Sequence, residues 1–260
     1  MSVEFKIGIV LAIFIAALIL SGFILPFDYN AMDSQNRFRS PGFPHFCGTD
    51  NFGRDVLFRI MVGGRYTLLT AILTVGGSIA IGSALGLFAG FIGGIWDEIT
   101  MRLMDALSSF PGILLALITI SILDTGALVI ALLILFIPSF TRIVRSGTLQ
   151  YRGRDFVLAA RIIGTSRRRI LFIHILPNLF PSLLSASVLG LSNAILAEST
   201  MSYLGLGIQP PEPSWGRMLS ESQGFLFNAP WCALAPGLAI MLSVLAFHYL
   251  GEGLRRLNPE

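Results

Sequence analysis

Three stretches of this chain contain no Asp, Glu, Lys or Arg: residues 66–96, 170–197 and 222–251. Each is longer than the roughly 20 residues a helix needs to cross the hydrocarbon layer of a bilayer. Only 13% of the 260 residues are charged, against about a quarter in a typical soluble domain, so the chain is short of what would cover a surface in water. Shorter apolar stretches at 7–25, 106–123 and 125–141 bring the expected number of spans to six. Inside lipid each segment must satisfy its own backbone polar groups, which selects helix. The expected fold is therefore an all-α polytopic membrane protein. Lys6 precedes the first apolar stretch, which is longer than a secretory signal core and closes on Phe-Ile-Leu-Pro-Phe without a small-x-small cleavage site. It is read as a retained first helix.

Charge sets the orientation. The segment 141–180 carries eight arginines against one acid, Asp155. Positive loops stay in the cytoplasm, and six spans then place both termini there, in agreement with Lys6, Arg255 and Arg256. Residues 27–65 become extracytoplasmic, although five arginines and four aspartates make their sign nearly neutral. An inverted chain would have to export the arginine-rich segment. Two units follow: residues 1–65 with the first span and the external segment, and residues 66–260 with a five-helix core that carries a basic insert at about 151–178.

Within the second span Gly82, Gly86, Gly90 and Gly94 recur every fourth residue. One helical face without side chains lets a second helix approach closely; a substrate path along that face is the other reading. Asp105 lies one turn after Arg102 and is expected to pair with it. Asp124, between the third and fourth spans, reads as a turn residue at the outer surface. Cys47 and Cys232 form no redox or metal motif and are read as unpaired thiols. His174 has no second ligand nearby, so no metal site is expected. A Gly-x4-Gly-Lys-Ser/Thr phosphate loop is absent, so the chain does not hydrolyse ATP alone.

The insert reads as two short helices. Asp155 is placed to cap a helix beginning at Phe156, and Gly164 to end it at no steric cost. Thr165 or Ser166 would cap a second helix running through Arg167, Arg168 and Arg169 until Pro177 stops it. Ala159 and Ala160 narrow the first helix, which would let it slot into a groove on another protein. An arginine loop resting on lipid headgroups accounts for the charge, but not for the spacing of the small residues.

Leu158-Ala159-Ala160, Gly164, His174 and Leu176-Pro177 together resemble the cytoplasmic signature of permease subunits of ABC importers. Further stretches resemble the dipeptide, oligopeptide and nickel branch of that family: Gly48 to Asp55 (GTDNFGRD), Met101 to Asp105 with Phe110-Pro111, and Glu198 with Ser202 to Gly207. The last continues through Gln209-Pro210-Pro211 to Ser214-Trp215-Gly216. The resemblance runs over nearly the whole chain and departs at Leu158, where the family usually has glutamate. It implies a type I ABC importer permease fold whose insert is a coupling helix docking on the ATP-hydrolysing subunit through Asp155, Leu158, Ala159, Ala160, Arg161 and Gly164. It also implies a second homologous permease, two ABC ATPase subunits, an extracytoplasmic substrate-binding protein and membrane lipid as partners, with no nucleic acid. ATP and Mg would reside on the ATPase subunits, with no cofactor, metal or catalytic residue on this chain. The location implied is a bacterial or archaeal cytoplasmic membrane.

The cargo stays open between small peptides and nickel or its chelates; Leu158 and the short stretch before the first span lean towards nickel on resemblance alone. Glu198, a carboxylate within the fifth span, is a candidate for contact with a cationic or metal-bound substrate on the pathway, with a structural or gating role favoured. Asp50, Arg54 and Asp55 read as an exposed cluster on an extracytoplasmic helix that could receive the binding protein. A gradient-driven transporter or channel would need several intramembrane acids, and Glu198 stands alone. An intramembrane enzyme would need a nucleophile and base within spans, yet His248 lies near the end of the last.

Overall fold

A computed structural model describes residues 3–24, 28–123 and 127–257. Asp124 and the expected span limits at 25 and 125 lie outside the described residues. The described chain is helical, with one isolated bridge between Thr49 and Asp55. Among the described residues ten α-helices follow in order: α1 (Val3–Ile24), α2 (Val56–Ile92), α3 (Ile95–Ser109), α4 (Gly112–Leu123), α5 (Leu128–Arg152), α6 (Asp155–Ile162), α7 (Arg167–Arg169, a single turn), α8 (Leu176–Tyr203), α9 (Trp215–Ser222) and α10 (Trp231–Leu257). Five of them are long and apolar enough to cross a bilayer, and six spans result if α3 and α4 are counted as one bent pair.

The uncharged runs mark the hydrocarbon-compatible part of each helix rather than its ends. α2 starts ten residues before its run, because Asp55 caps it by accepting the Leu57 and Phe58 amides at 2.8 and 3.2 Å. Its extra turns carry Arg59 and Arg65. At 37 residues the helix is about 55 Å long and reaches beyond any hydrocarbon layer. The run at 222–251 likewise includes a turn, since α10 starts only at Trp231.

The expected third span is not one helix. α3 and α4 meet at 95°. Phe110 is extended (φ −81°, ψ 136°), as expected for the residue before Pro111. The paired charges differ accordingly: Arg102 bonds Glu98 one turn back, and Asp105 bonds Arg142 of α5 at 2.9 Å.

The most extensive helix pair is α2 with α5, and its seam is built by glycine. A Cβ on Gly86 would lie 2.6 Å from the Thr141 carbonyl oxygen, and one on Gly82 or Gly90 would meet Phe140 or Thr148 under 3.0 Å. The Ser78 hydroxyl adds a bond to the Leu133 carbonyl at 3.1 Å, in the turns preceding Pro138. Gly94 does not belong to this seam; it lies past the helix end with φ +62° and nothing near it. Both helices run in the same direction, so their C-termini gather at one end, here called the basic end. α1 crosses α10 in the opposite sense, with Gly8 against Leu250 and Gly253 against Phe5.

At the other end, residues 28–55 fold as a cap over α9 and α10. The Trp231 indole donates to the Thr49 carbonyl at 3.1 Å, and Phe38 meets Phe225 with tilted rings, centroids 5.0 Å apart. Trp215, fully buried at the start of α9, donates from its indole to the Ile60 carbonyl at 2.9 Å. Cys47, within the cap, and Cys232, buried beneath it on α10, are both free thiols.

Candidate functional site

The insert leaves the basic end between α5 and α8. Val157 and Ala160 face inward and join Leu87, Phe91, Val144, Ile170, Ile175 and Leu179 in one apolar cluster. That cluster fixes α6 to the ends of α2, α5 and α8. Tyr151 and Phe156 brace the turn, with ring centroids 6.3 Å apart. The opposite side of α6 is open. Leu158 and Ala159 are exposed, and Ile162 and Ile163 are 86% and 80% exposed at the tip. Fully solvated isoleucines side by side are costly unless something covers them.

Several local expectations change. Asp155 is the first residue of α6 rather than its cap: Arg154 holds the cap position, with no side-chain bond to the helix amides. Asp155 still lies where a carboxylate favours the helix dipole. Gly164 ends the helix as expected, in the left-handed conformation (φ +82°). The Thr165 amide bonds Ala160 O and the Gly164 amide bonds Arg161 O, which closes the last turn. Of the two candidate caps, Ser166 serves, accepting the Arg169 amide at 3.4 Å. Pro177 does not stop the following helix. The chain passes from α7 through a π-helical turn, Ile170–Ile175, directly into α8. That wider turn offers its amides to carbonyls five residues back, so a proline in the first turn of α8 costs little. Ala160 is buried and belongs to the insert's own packing; Ala159 is the small residue on the surface.

Arginines tie the basic end together. Arg145 of α5 grips Asp97 of α3 in a bidentate pair, with Nη2 2.6 Å from Oδ2. Arg161 lies over the Phe91 ring at 5.1 Å. Between α5 and α8 opens a cleft of about 710 Å³, lined by Arg142, Ser146, Gln150, Arg154, Asn178 and Ser182 among others.

Glu198 is fully buried on α8, away from that cleft. Its carboxylate accepts the Ser202 hydroxyl at 2.6 Å and the Ser199 hydroxyl at 3.4 Å. The hydroxyls of Thr67 on α2 and Ser214 at the α9 cap also bond it. It therefore joins α2, α8 and the connection to α9.

Asp50, Arg54 and Asp55 do come together, but neither exposed nor on a helix. Asp50 and Arg54 are buried, in the turn preceding α2. Asp50 accepts Arg54 Nε at 2.6 Å, and Asp55 caps α2 while holding His45 Nδ1 at 2.8 Å. Glu221 of α9 completes the network, 3.5 Å from Arg54, 3.4 Å from Arg59 and 3.2 Å from Arg217. Arg59, only 2% exposed, is its innermost member. Sequence reasoning passed over Arg59 and Glu221; the signal was an arginine one turn into a helix whose cap already held both signs. It also passed over Glu212, whose carboxylate accepts the hydroxyls of Tyr66 and Tyr29 at 2.6 and 3.0 Å.

Residues 82–257 match the family model described as binding-protein-dependent transport system inner membrane component. Among similar proteins, the dipeptide transport system permease protein DppC of Alkalihalophilus pseudofirmus is 40% identical over 262 residues, 98% of this chain and 86% of that protein. DppC of Haemophilus influenzae is 36% identical over 98% of this chain and 90% of its own length. The glutathione transport system permease protein GsiD of Escherichia coli is 40% identical over all of this chain and 86% of its own length. A chain of the inward-facing methionine ABC transporter MetNI superposes with a TM-score of 0.63 at 19% identity, over 78% of this chain and 96% of that one, a likeness of fold. The helical architecture, the multi-pass apolar helices and these matches agree: the chain belongs to the family of binding-protein-dependent transport system inner membrane components, the permease subunits of ABC importers.

Proposed function

We propose that this permease imports small peptides, delivered by an extracytoplasmic binding protein and driven by ATP hydrolysis on two partner ATPase subunits. The observation that carries the reading is the insert: an apolar, solvent-exposed tip at Leu158, Ile162 and Ile163 on a helix whose other face is locked to α2, α5 and α8. A rigidly mounted apolar knob fits a partner that pushes and pulls on it, and here that partner is the ATPase subunit. Ala159 and Asp155 flank the contact and Gly164 sets its edge, while the Arg161 guanidinium turns back over the Phe91 ring. The cargo class rests on relatives named for dipeptides and glutathione that match along the whole chain.

In this reading the basic end faces the cytoplasm and both termini lie there. Residues 1–65 supply the first span, the external cap and the opening turns of α2, and residues 66–260 the rest of the five-helix core with the insert. A second homologous permease completes the passage, to which this chain contributes the cleft between α5 and α8. Glu198 holds the core to the outer connection and so governs gating without touching cargo. The network of Asp50, Arg54, Asp55 and Glu221 shapes the face that receives the binding protein. ATP and Mg stay on the partner subunits.

The test is uptake into proteoliposomes holding the complete complex, with labelled dipeptides, glutathione and nickel chelates offered in parallel. ATP-dependent accumulation of a peptide is the expected result. Accumulation of nickel chelates alone would move the assignment to the other cargo of the branch. Uptake by this chain without ATPase subunits would overturn the importer mechanism itself.

A further inference from the structure

A second cleft, of about 350 Å³, lies at the basic end between the C-termini of α2 and α5 and the insert. Its polar wall is Arg152, Arg161, Arg167 and Thr165, and its apolar wall is Phe91 and Ile92. Among the described residues none of the three arginines forms an ion pair, and no carboxylate lines the cleft. Two of the guanidinium groups are nonetheless held in place. Arg152 donates from Nη1 to the Gly90 carbonyl at 3.3 Å, beside Gly93, where a Cβ would stand 3.1 Å from that same nitrogen. Arg161 is steadied against the Phe91 ring. Each keeps further N–H donors free, because a guanidinium carries five.

Three cations gathered without a counter-charge repel one another, and mounting them on fixed supports concentrates positive potential in one place. A phosphate group satisfies such a fork of donors better than chloride or water. The apolar wall decides between sources of phosphate. Ile92, half exposed, closes the uncharged stretch of α2, so an apolar surface leads from the cleft along the helix toward the hydrocarbon layer. A ligand that is anionic at one end and apolar at the other matches both walls. We propose that this cleft binds the phosphate of an anionic phospholipid, with Arg152, Arg161, Arg167 and the Thr165 hydroxyl as donors and the acyl chains running along Ile92. The lipid would then bridge the insert and the foot of α2.

The test is native mass spectrometry of the complete transporter complex, released from membranes containing phosphatidylglycerol and phosphatidylcholine. Wild type is expected to retain phosphatidylglycerol preferentially. Loss of each arginine weakens retention by roughly five-fold, so Arg152→Gln/Arg167→Gln loses roughly 25-fold. The control, Arg168→Gln/Arg169→Gln, removes the same charge from outside the cleft and is expected to retain the lipid. Arg167→Gln alone, at an exposed position, gives the single-step loss if the double variant assembles poorly. Equal losses in both double variants would reduce the effect to diffuse charge and overturn the site. Stripping by excess inorganic phosphate would show a site for free phosphate rather than for lipid. Unchanged lipid with loss of the ATPase subunit would show that the arginines meet protein carboxylates, which also overturns it.

Discussion

Glu198 and Ser202 lie one turn apart on α8, and the Ser202 hydroxyl donates to the buried Glu198 carboxylate at 2.6 Å. With Thr67 and Ser214 bonding the same group, one side chain holds two helices and a connection in register. Glu198→Ala would leave several buried hydroxyls short of an acceptor, at a cost on the order of 3 kcal/mol. Glu198→Gln keeps an acceptor oxygen and about the same volume, and should cost about 1 kcal/mol. Thermal unfolding of the purified complex checks both. Equal midpoints for the two variants would remove Glu198 from any bracing role.

The seam between α2 and α5 makes a sharper steric prediction. Gly86→Val drives side-chain atoms into the Thr141 carbonyl, and such overpacking costs about 1–3 kcal/mol. Gly76 lies on the same helix, and a Cβ there would meet nothing within 4 Å, so Gly76→Ala should be neutral or stabilising. The comparison is yield and melting temperature of the two variants side by side. A tolerant Gly86 would mean the helices stand further apart than described.

For the insert, Ile163→Asp should leave folding intact, since the side chain is 80% exposed, while reducing recovery of the ATPase subunit in a pull-down by more than tenfold. Ala160→Glu should fail differently. Its carboxylate would enter the cluster with Val157 and Ile170, so the complex should lose thermal stability as well. Leu158→Glu places the usual family residue at an exposed position and should leave folding intact. An Ile163→Asp variant that recovers the ATPase normally would sink the docking assignment.

Cys47 offers a probe of orientation and of pH. Burial first, and the negative charge of Asp55 second, push its thiol above the ordinary range. The thiolate is the reactive form, so labelling by a membrane-impermeant maleimide should be slow at neutral pH. It should speed up by roughly tenfold per pH unit into the alkaline range. Labelling of intact cells is the expected outcome if the cap faces outward. Reaction only after permeabilisation would invert the topology.

Much of this was legible in residue order. Runs without charge located the helices that suit a bilayer, and a glycine every fourth residue located the α2–α5 seam. Asp155 and Gly164 bracketed the first helix of the insert, which runs from Asp155 to Ile162. What escaped depended on partners distant in sequence. Arg59 and Arg54 look like surface charges until Glu221, more than 160 positions away, closes over them. Asp105 had an arginine at helical spacing, but Arg142 offered a bond from another helix while Glu98 claimed Arg102. Pro177 read as a stop because proline lacks an amide. A π turn before it had no use for that amide, and nothing in the local composition announces a π turn.

That continuity turns α8 into a lever. From Leu176 beside the insert to Glu198 beneath the outer connection, 22 residues of unbroken helix span about 33 Å. A rod of that length pivoting by about 10° at its foot carries its far end by roughly 6 Å. Such a throw is about one helical turn, so under the proposed docking role a small rotation of the insert would reach the far end of α8 enlarged rather than damped.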